Sequence, residues 1–394
     1  MTDSEWPLLP AEGQGEAPPA APTVAICPEC GRPVDPAAWF CEACGNPLVP
    51  TAPGGAVPAP NPDAPSAQTR RLGVRASEQA RCTACGGTIG PDGYCQTCGA
   101  KAPSPRDHFS AFPADWVGGV CDRGVQHFRN EDALGLWASG DRAVLVVCDG
   151  VSTSVDSDVA ALAAAERARD VLANRVEPGL DASDEVVAQA LAEAVTQANQ
   201  AVVATTAADT SNAASATFAA AVVAGDRIHY ANLGDSRVYL LGATERLLLS
   251  LDDSMAQAFI SEGMPRAEAE ALPRAHAITK WLGRDAVDTT PRTGAHPVTG
   301  PGWVVVCSDG LWNYASSPDA LAEQLDAALA AAPTPVGAAQ KLVEWANAQG
   351  GHDNVTVALA RVPAPAPPAA PEAPGTPVSL GAAAPEEKES PEHG

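Results

Sequence analysis

Uninterrupted apolar stretches of the ~18–20 residues that span a bilayer are missing from this 394-residue chain. Its opening residues also lack the basic, then apolar, then small-residue order of an export signal, so a cytoplasmic protein with no membrane partner is expected. Basic charge is scarce: 24 Lys and Arg stand against 48 Asp and Glu, for a formal net charge of −24. That excess opposes docking on a polyanion and excludes nucleic acid as the main partner. What is present is enough apolar sequence, 45% of residues, for at least one sizeable core. The 37 prolines crowd into residues 1–25, 46–66 and 362–391. Residues 1–25 and 362–394 therefore read as disordered tails and 47–80 as a linker.

Eleven cysteines would suggest disulfides in a secreted chain, but eight of them form four Cys-x-x-Cys pairs. Cys27, Cys30, Cys41 and Cys44 make one unit (26–46), and Cys82, Cys85, Cys95 and Cys98 repeat it (81–100). Four thiolates at this spacing close a tetrahedron around Zn²⁺ and leave no open coordination site, so each unit is expected to be a structural zinc ribbon. A redox pair would want a βαβ context, and haem attachment a histidine directly after the second cysteine; neither is found. Glycine follows every second cysteine (Gly31, Gly45, Gly86, Gly99), which permits the positive φ of a knuckle turn. Modules this small depend on the metal for folding. Their intervening residues show no basic surplus, so protein contact is expected of them. The Pro- and Ala-rich linker suggests that the ribbons are separable from the larger C-terminal region.

From about residue 107 to 361, short apolar runs bounded by Gly and Asp alternate with Ala-rich helical segments, the pattern of an α+β domain. Strands are predicted at 143–148, 215–224, 227–233, 236–241, 303–307 and 354–361, several of them apolar on both faces. Helices are predicted at about 156–174, 184–204, 254–262, 319–331 and 335–348.

Acidic residues stand at the ends of these strands: Asp149-Gly150 after AVLVVC, Asp309-Gly310 after WVVVCS, and Asp353 before NVTVALA. Glu131-Asp132 opens another apolar stretch. Each aspartate taken singly could simply form a turn. Brought together, several carboxylates repel one another unless cations lie between them, and all-oxygen ligation suits Mg²⁺ or Mn²⁺ better than zinc.

In order along about 250 residues, DRG-x5-NEDA, VVCDG, ANLGDSRVYLL, VVCSDGLW and GHDNVTV resemble the successive motifs of the metal-dependent, type-2C (PPM) protein phosphatases. ASAT, LDDS and ITKWLGRD between them are similar to that family too. The resemblance implies an αββα sandwich, two antiparallel sheets flanked by helices, with a two-metal centre at one edge. It implies that Asp149 bridges the metals, that Asp309 and Asp353 complete one, and that the Gly150 carbonyl binds the other. Asp132 would serve the centre directly or through water with Glu131 nearby, and Asp235 would help hold a third, weaker metal. The implied reaction is hydrolysis of phosphoserine and phosphothreonine in proteins, opposing serine/threonine kinases, by water activated between two divalent ions.

The chain departs from the family pattern twice. Where many members carry a phosphate-holding arginine, it has His127; strand alternation would send Arg129, two residues on, to the same face, so His127 and Arg129 are both candidates to hold the substrate phosphate. After Gly150, where a histidine often begins a glycine-rich stretch, it reads Val151-Ser152-Thr153-Ser154. The usual proton donor is thus missing, leaving His127, His352 or a metal-bound water as candidates. His352 could instead only orient Asp353, while His276 and His296 fall in exposed connections. Trp281, Trp303 and Trp312 read as core, and Cys121, Cys148 and Cys307 as buried small hydrophobes, although oxidation at Cys148 or Cys307 could reach the adjacent aspartates. A second function class stays open, a catalytically weak scaffold that recruits partners through its ribbons. Retention of Asp132, Asp149, Asp309 and Asp353 favours the active enzyme.

Overall fold

Every strand pairing in the computed structural model is antiparallel among the described residues, which are 25–26 and 33–34 (backbone), 81–82, 85–90, 93–102 and 104–362. In chain order, β1 (Ala25–Ile26) and β2 (Pro33–Val34) pair in the first ribbon. After them come β3 (His108–Ala114), β4 (Val117–Asp122), β5 (Asp132–Ser139), β6 (Arg142–Asp149), α1 (Ser157–Arg175) and α2 (Asp184–Thr205). Next are β7 (Ser215–Ala216), β8 (Phe218–Ala224), β9 (Arg227–Leu233), β10 (Arg237–Gly242), β11 (Arg246–Leu248), α3 (Met255–Ser261) and α4 (Arg266–Glu270). The chain then runs through β12 (Leu282–Gly283), β13 (Arg292–Pro297), β14 (Gly302–Cys307), α5 (Asp309–Trp312), α6 (Pro318–Ala331), α7 (Pro335–Gln349) and β15 (Val355–Val362).

Two sheets form, one in the order β11-β10-β14-β15-β4-β3 and the other β13-β9-β8-β6-β5. Side chains alternate faces along a strand, and here both faces are buried. On β6, Val144, Val146 and Cys148 pack under α1 and α2, while Ala143, Leu145 and Val147 meet the opposite sheet. On β14, Val305 and Cys307 pack under α6 and α7, while Val304 and Val306 face inward. The result is the expected αββα sandwich, with one apolar layer between the sheets and one beneath each helix pair. Helix entry follows capping rules: Ser317 and Thr334 accept from Ala320 and Gly337 N–H, and proline occupies the first helical position of α6 and α7.

The six predicted strands and five predicted helices all occur, with one break. The run 215–224 divides at Thr217, whose N–H donates to Asp149 O at 2.7 Å. Ser215–Ala216 then turns away to pair with β12. Strands β3, β4, β5 and β13 carry no prediction: they include pairs such as Gly118-Gly119 and Thr293-Gly294, which lack the β-branched runs that mark a strand in sequence. The first cysteine cluster and the tail 363–394 lie outside the described residues, as do 1–24; Ala25 begins β1.

The ribbons were expected to be separable; the second lies against the sandwich, with Tyr94 stacked on Phe128 at a centroid distance of 6.2 Å. A short connector follows it, and one residue of that connector, Arg106, is bonded to the sandwich. Asn130 Nδ2 donates to Arg106 O at 2.8 Å, and Arg106 Nη2 donates to Asp132 O at 2.9 Å. The Pro-rich segment that suggested free movement lies before this ribbon, not after it.

A buried cation fastens α3 and α4 to the sandwich. Arg237 on β10 is fully buried, with Nη2 donating to Asp252 Oδ2 at 2.6 Å and to Glu270 Oε1 at 2.9 Å, and its guanidinium lying 3.5 Å from the Trp312 ring centre. Arg237→Met should leave Asp252 buried and unpaired and cost about 3–5 kcal/mol. Urea unfolding at fixed metal concentration measures this; an unchanged midpoint would show that the pair contributes nothing net.

Candidate metal centre and active site

The alternation that builds the core continues to the strand ends. Asp149 extends the inward row Ala143, Leu145, Val147, and Asp132 lies directly opposite it across the β5–β6 pair. From the other sheet, Ser308 extends the row Val304, Val306, and Thr356 the row Ala360, Ala358. Ser308 Oγ and Thr356 Oγ1 each donate to Asp132 Oδ2 at 2.7 Å, and Asp132 Oδ1 has no hydrogen-bond partner. Both hydroxyls escape the sequence analysis, although each stands beside or within an acidic motif, because a lone Ser or Thr carries no signal of what it will face.

Asp309 opens α5 just past β14. Its Oδ2 accepts from Asn313 Nδ2 at 3.1 Å and its Oδ1 is buried without a partner. Removal from water, then mutual repulsion, raises these carboxyls: Asp132 to about 7 and Asp353 to about 8, with Asp149 and Asp235 well above their usual range. Asp309 is raised by burial against the opposing influence of His276 and Asn313. The charges that press on Asp149 are those of Asp132, Asp309, Asp353 and Asp235, so the five aspartates singled out in sequence lie within one another's field, although their carboxylate oxygens are not drawn into a cluster as close as that of the four sulfurs described below. Gly150 is required by space: a Cβ there would meet Ser157 O at 2.6 Å and Glu131 O at 2.8 Å.

Glu131, expected near the metals, is engaged elsewhere. Its Oε1 accepts from Arg129 Nε (3.0 Å), Arg129 Nη2 (2.7 Å) and Ser157 Oγ, and its Oε2 from Ser152 Oγ (2.7 Å). Burial would raise its pKa, but His127, Ser152, Ser157 and Arg129 outweigh it and hold the group at about 2. Residues 124–131 are turns and irregular chain, so strand alternation does not relate His127 to Arg129. They meet instead through Glu131. His127 Nε2 lies 3.2 Å from Asp353 Oδ1 and its Nδ1 faces Glu131 Oε2 at 3.8 Å, so both ring nitrogens are turned to carboxylates. Those carboxylates raise its pKa against the opposing effect of burial. Asn354 holds this segment: its Oδ1 accepts from Glu131 N–H at 2.7 Å, and its Nδ2 donates to Arg123 O (2.7 Å) and Arg129 O (3.0 Å).

The remaining candidates fall outside the centre or beside it. The His352 backbone N–H donates to Tyr314 Oη at 3.2 Å. His296 lies on edge strand β13, not in a connection, and pairs with Glu245 at 3.1 Å. His276 is exposed and lies against Trp312 with ring centres 5.7 Å apart. Trp281 and Trp303 pack on the two helix-side cores, while buried Trp312 donates to Asp235 O at 2.9 Å. Cys121, Cys148 and Cys307 are fully buried, and burial raises each thiol, which favours packing over oxidation.

In the second ribbon, Cys82, Cys85, Cys95 and Cys98 offer sulfurs that all lie within 4.8 Å of one another, the one such group of three or more possible ligands among the described residues. Both knuckles close alike, with Gly86 N–H on Cys82 O and Gly99 N–H on Cys95 O at 2.8 Å, each glycine at φ +74°. Backbone N–H groups of Cys98 and Thr97 hold the Cys95 thiol down at about 6.

Comparison with known proteins accounts for both parts. Residues 124–347 match the family described as protein phosphatase 2C, and residues 27–99 match the double zinc ribbon. The chain belongs to the protein phosphatase 2C family. It is 29% identical over 244 residues to the serine/threonine phosphatase stp of Listeria innocua, covering 60% of this chain and 92% of that protein. It is 33% identical over 147 residues to the phosphatase PstP of Mycobacterium tuberculosis, covering 37% of this chain and 27% of PstP. The solved serine/threonine phosphatase of S. agalactiae superposes with a TM-score of 0.52 at 25% identity, over 64% of this chain and 98% of that one. The phosphatase is a metal-dependent enzyme acting on phosphoserine and phosphothreonine in proteins. No helix among the described residues is long and apolar enough to cross a membrane.

The donors fit the ions such a phosphatase needs. The buried, unpartnered oxygens of Asp132 and Asp309 and the repulsion among five aspartates suit hard, oxygen-ligated cations, and the four close sulfurs suit zinc. Because Asp132 and Asp353 have folded pKa values above those of free carboxyls, their contribution without cations is full below about pH 4 and is lost as pH rises through about 7–8. Mn²⁺ or Mg²⁺ held at one concentration, 100-fold its Kd at pH 8, should raise the thermal midpoint by about 5–10 °C at pH 8 and by less at pH 5.5, where protons compete for the carboxylates. An equal shift at both pH values in calorimetry would contradict the carboxylate centre. Elemental analysis should return about two zinc ions per chain, one for each four-cysteine cluster.

Proposed function

We propose that Asp149, Asp309, Asp132 and Asp353, with the Gly150 carbonyl, hold two divalent cations, Mn²⁺ or Mg²⁺, and that Asp235 helps hold a third, weaker one. The observation that carries this reading is the pair of buried oxygens, Asp132 Oδ1 and Asp309 Oδ1, left unpaired among carboxylates that raise one another's pKa. Cations bound there would supply the positive charge that activates water and neutralises a phosphoryl group. The protein's own contribution is orientation. Ser308 and Thr356 hold one oxygen of Asp132 and leave the other to the centre, and Asn313 does the same for Asp309.

Arg129 is the better candidate for the substrate phosphate. Glu131 fixes its guanidinium through Nε and Nη2, its side chain stays 38% exposed, and Nη1 reaches only Asp158, at 3.6 Å. His127, set between Glu131 and Asp353, orients Asp353 instead of binding phosphate. The natural substrates are phosphoproteins of a serine/threonine kinase system in the cytoplasm. The ribbons' contacts are with protein, in keeping with the chain's net charge of −24.

Hydrolysis of a phosphothreonine peptide should require Mn²⁺ or Mg²⁺, and Asp149→Asn and Asp309→Asn should each lower kcat by about 100-fold or more while circular dichroism stays unchanged. Arg129→Ala should raise KM with little change in kcat. Full turnover in excess EDTA would end the metal assignment, and an unchanged KM would remove Arg129 from the phosphate site.

A further inference from the structure

The loop that carries His127 and Arg129 is held by three successive carbonyls, each bonded to a different side chain. His127 O accepts from Arg123 Nη1, and Arg129 O from Asn354 Nδ2 at 3.0 Å, both within the sandwich. The middle one, Phe128 O, accepts from Lys101 Nζ at 3.2 Å, and Lys101 belongs to the edge of the second zinc ribbon. The same ammonium lies 5.2 Å from the centre of the Phe128 ring. Tyr94 stacks on that ring with centroids 6.2 Å apart and planes inclined by 24°. With these ribbon contacts in place, Phe128 is still 53% exposed, an apolar side chain on a loop whose neighbours here are a ring and a cation of the ribbon.

Tyr94 and Lys101 face each other across a short antiparallel bridge, beside the metal-binding sulfurs. Cys95 N–H donates to Ala100 O and Ala102 N–H to Gly93 O, both at 2.7 Å, so residues 93–102 form a hairpin with Cys95 and Cys98 at its turn. A hairpin this small has no core, and zinc at the four sulfurs determines whether it forms. The bonded connector at Arg106 keeps it against the loop.

We propose that the second zinc ribbon is a positioning element for catalysis, in which Tyr94 and Lys101 grip Phe128 and so set the loop that presents Arg129. This rests on the assignment of Arg129 to the substrate phosphate. The ribbon does not touch the reacting atoms; it narrows the conformations of the backbone on either side of them.

The test uses full-length Tyr94→Ala, Lys101→Ala and Phe128→Ala, the last approaching the contact from the sandwich side without altering the ribbon. Zinc content should remain at the wild-type level. Amide hydrogen exchange should quicken across residues 124–130, and KM for a phosphothreonine peptide should rise about threefold to tenfold with kcat within about twofold. Tyr94→Phe and Lys101→Arg, which keep the ring contact and the donor, should restore both readouts. Wild-type exchange and KM in Phe128→Ala would overturn the proposal. Faster exchange with an unchanged KM would also overturn it if Arg129→Ala raises KM, and would overturn the phosphate role of Arg129 instead if Arg129→Ala leaves KM unchanged too.

Discussion

Asp132 accepts hydrogen bonds from Ser308 and Thr356 with the same carboxylate oxygen, and those two hydroxyls belong to the opposite sheet. Between the sheets the packing is apolar and largely non-directional, built from small residues such as Ala219, Ala221, Ala358 and Ala360. The polar bridge at one end adds the directionality that such a layer lacks. It aligns the end of β5 with the ends of β14 and β15, and so brings Asp149, Asp309 and Asp353 within one another's field. Every feature of the centre depends on that alignment.

Gathering like charges is unfavourable, and the surrounding structure limits how the strain is relieved. The aspartates at the centre have few cationic side chains beside them. The strong cations of the neighbourhood are engaged by other acids: Arg237 by Asp252 and Glu270, Arg129 by Glu131. Glu131 is satisfied four times over by protein donors and stays ionised, whereas Asp132 and Asp309 each keep a free buried oxygen. Two neighbouring residues, Glu131 and Asp132, thus have opposite settings, one closing a network of side chains and the other keeping a buried oxygen without a partner. The loop from Gly124 to Asn130 connects these residues to the ribbon through Phe128.

Much of the fold is legible in the residues. Runs such as AVLVVC and WVVVC are apolar at every position because both of their faces are buried, and the Ala-rich helices α6 and α7 start at Ser or Thr caps followed by proline. Strands β3, β4, β5 and β13 are not legible, since their glycines and polar residues are tolerated only by neighbours supplied from far along the chain. Gly119, for example, has no room for a Cβ against Val357 O and Leu134.

By itself the sequence determined which residues could do chemistry: aspartates beside glycine at the ends of buried runs, and cysteines paired at metal-binding spacing. Order and spacing along a chain are local properties, and they survive without a fold. Which side each residue faces, and what meets it there, were decided by tertiary structure alone. Glu131 and Asp132 are indistinguishable as a dipeptide, yet one binds Arg129 and the other meets Ser308 and Thr356. His127 stands in the place of a phosphate-binding arginine but turns both nitrogens to carboxylates. The second ribbon reads as a detached module, yet its Tyr94 and the adjoining Lys101 meet Phe128, and Arg106 in the connector that follows is bonded to the sandwich. The reason is common to all three: a side chain's partners are set by the packing of strands and loops distant in sequence, and hydrogen bonds and charges act over a few ångströms of space, whatever the separation along the chain.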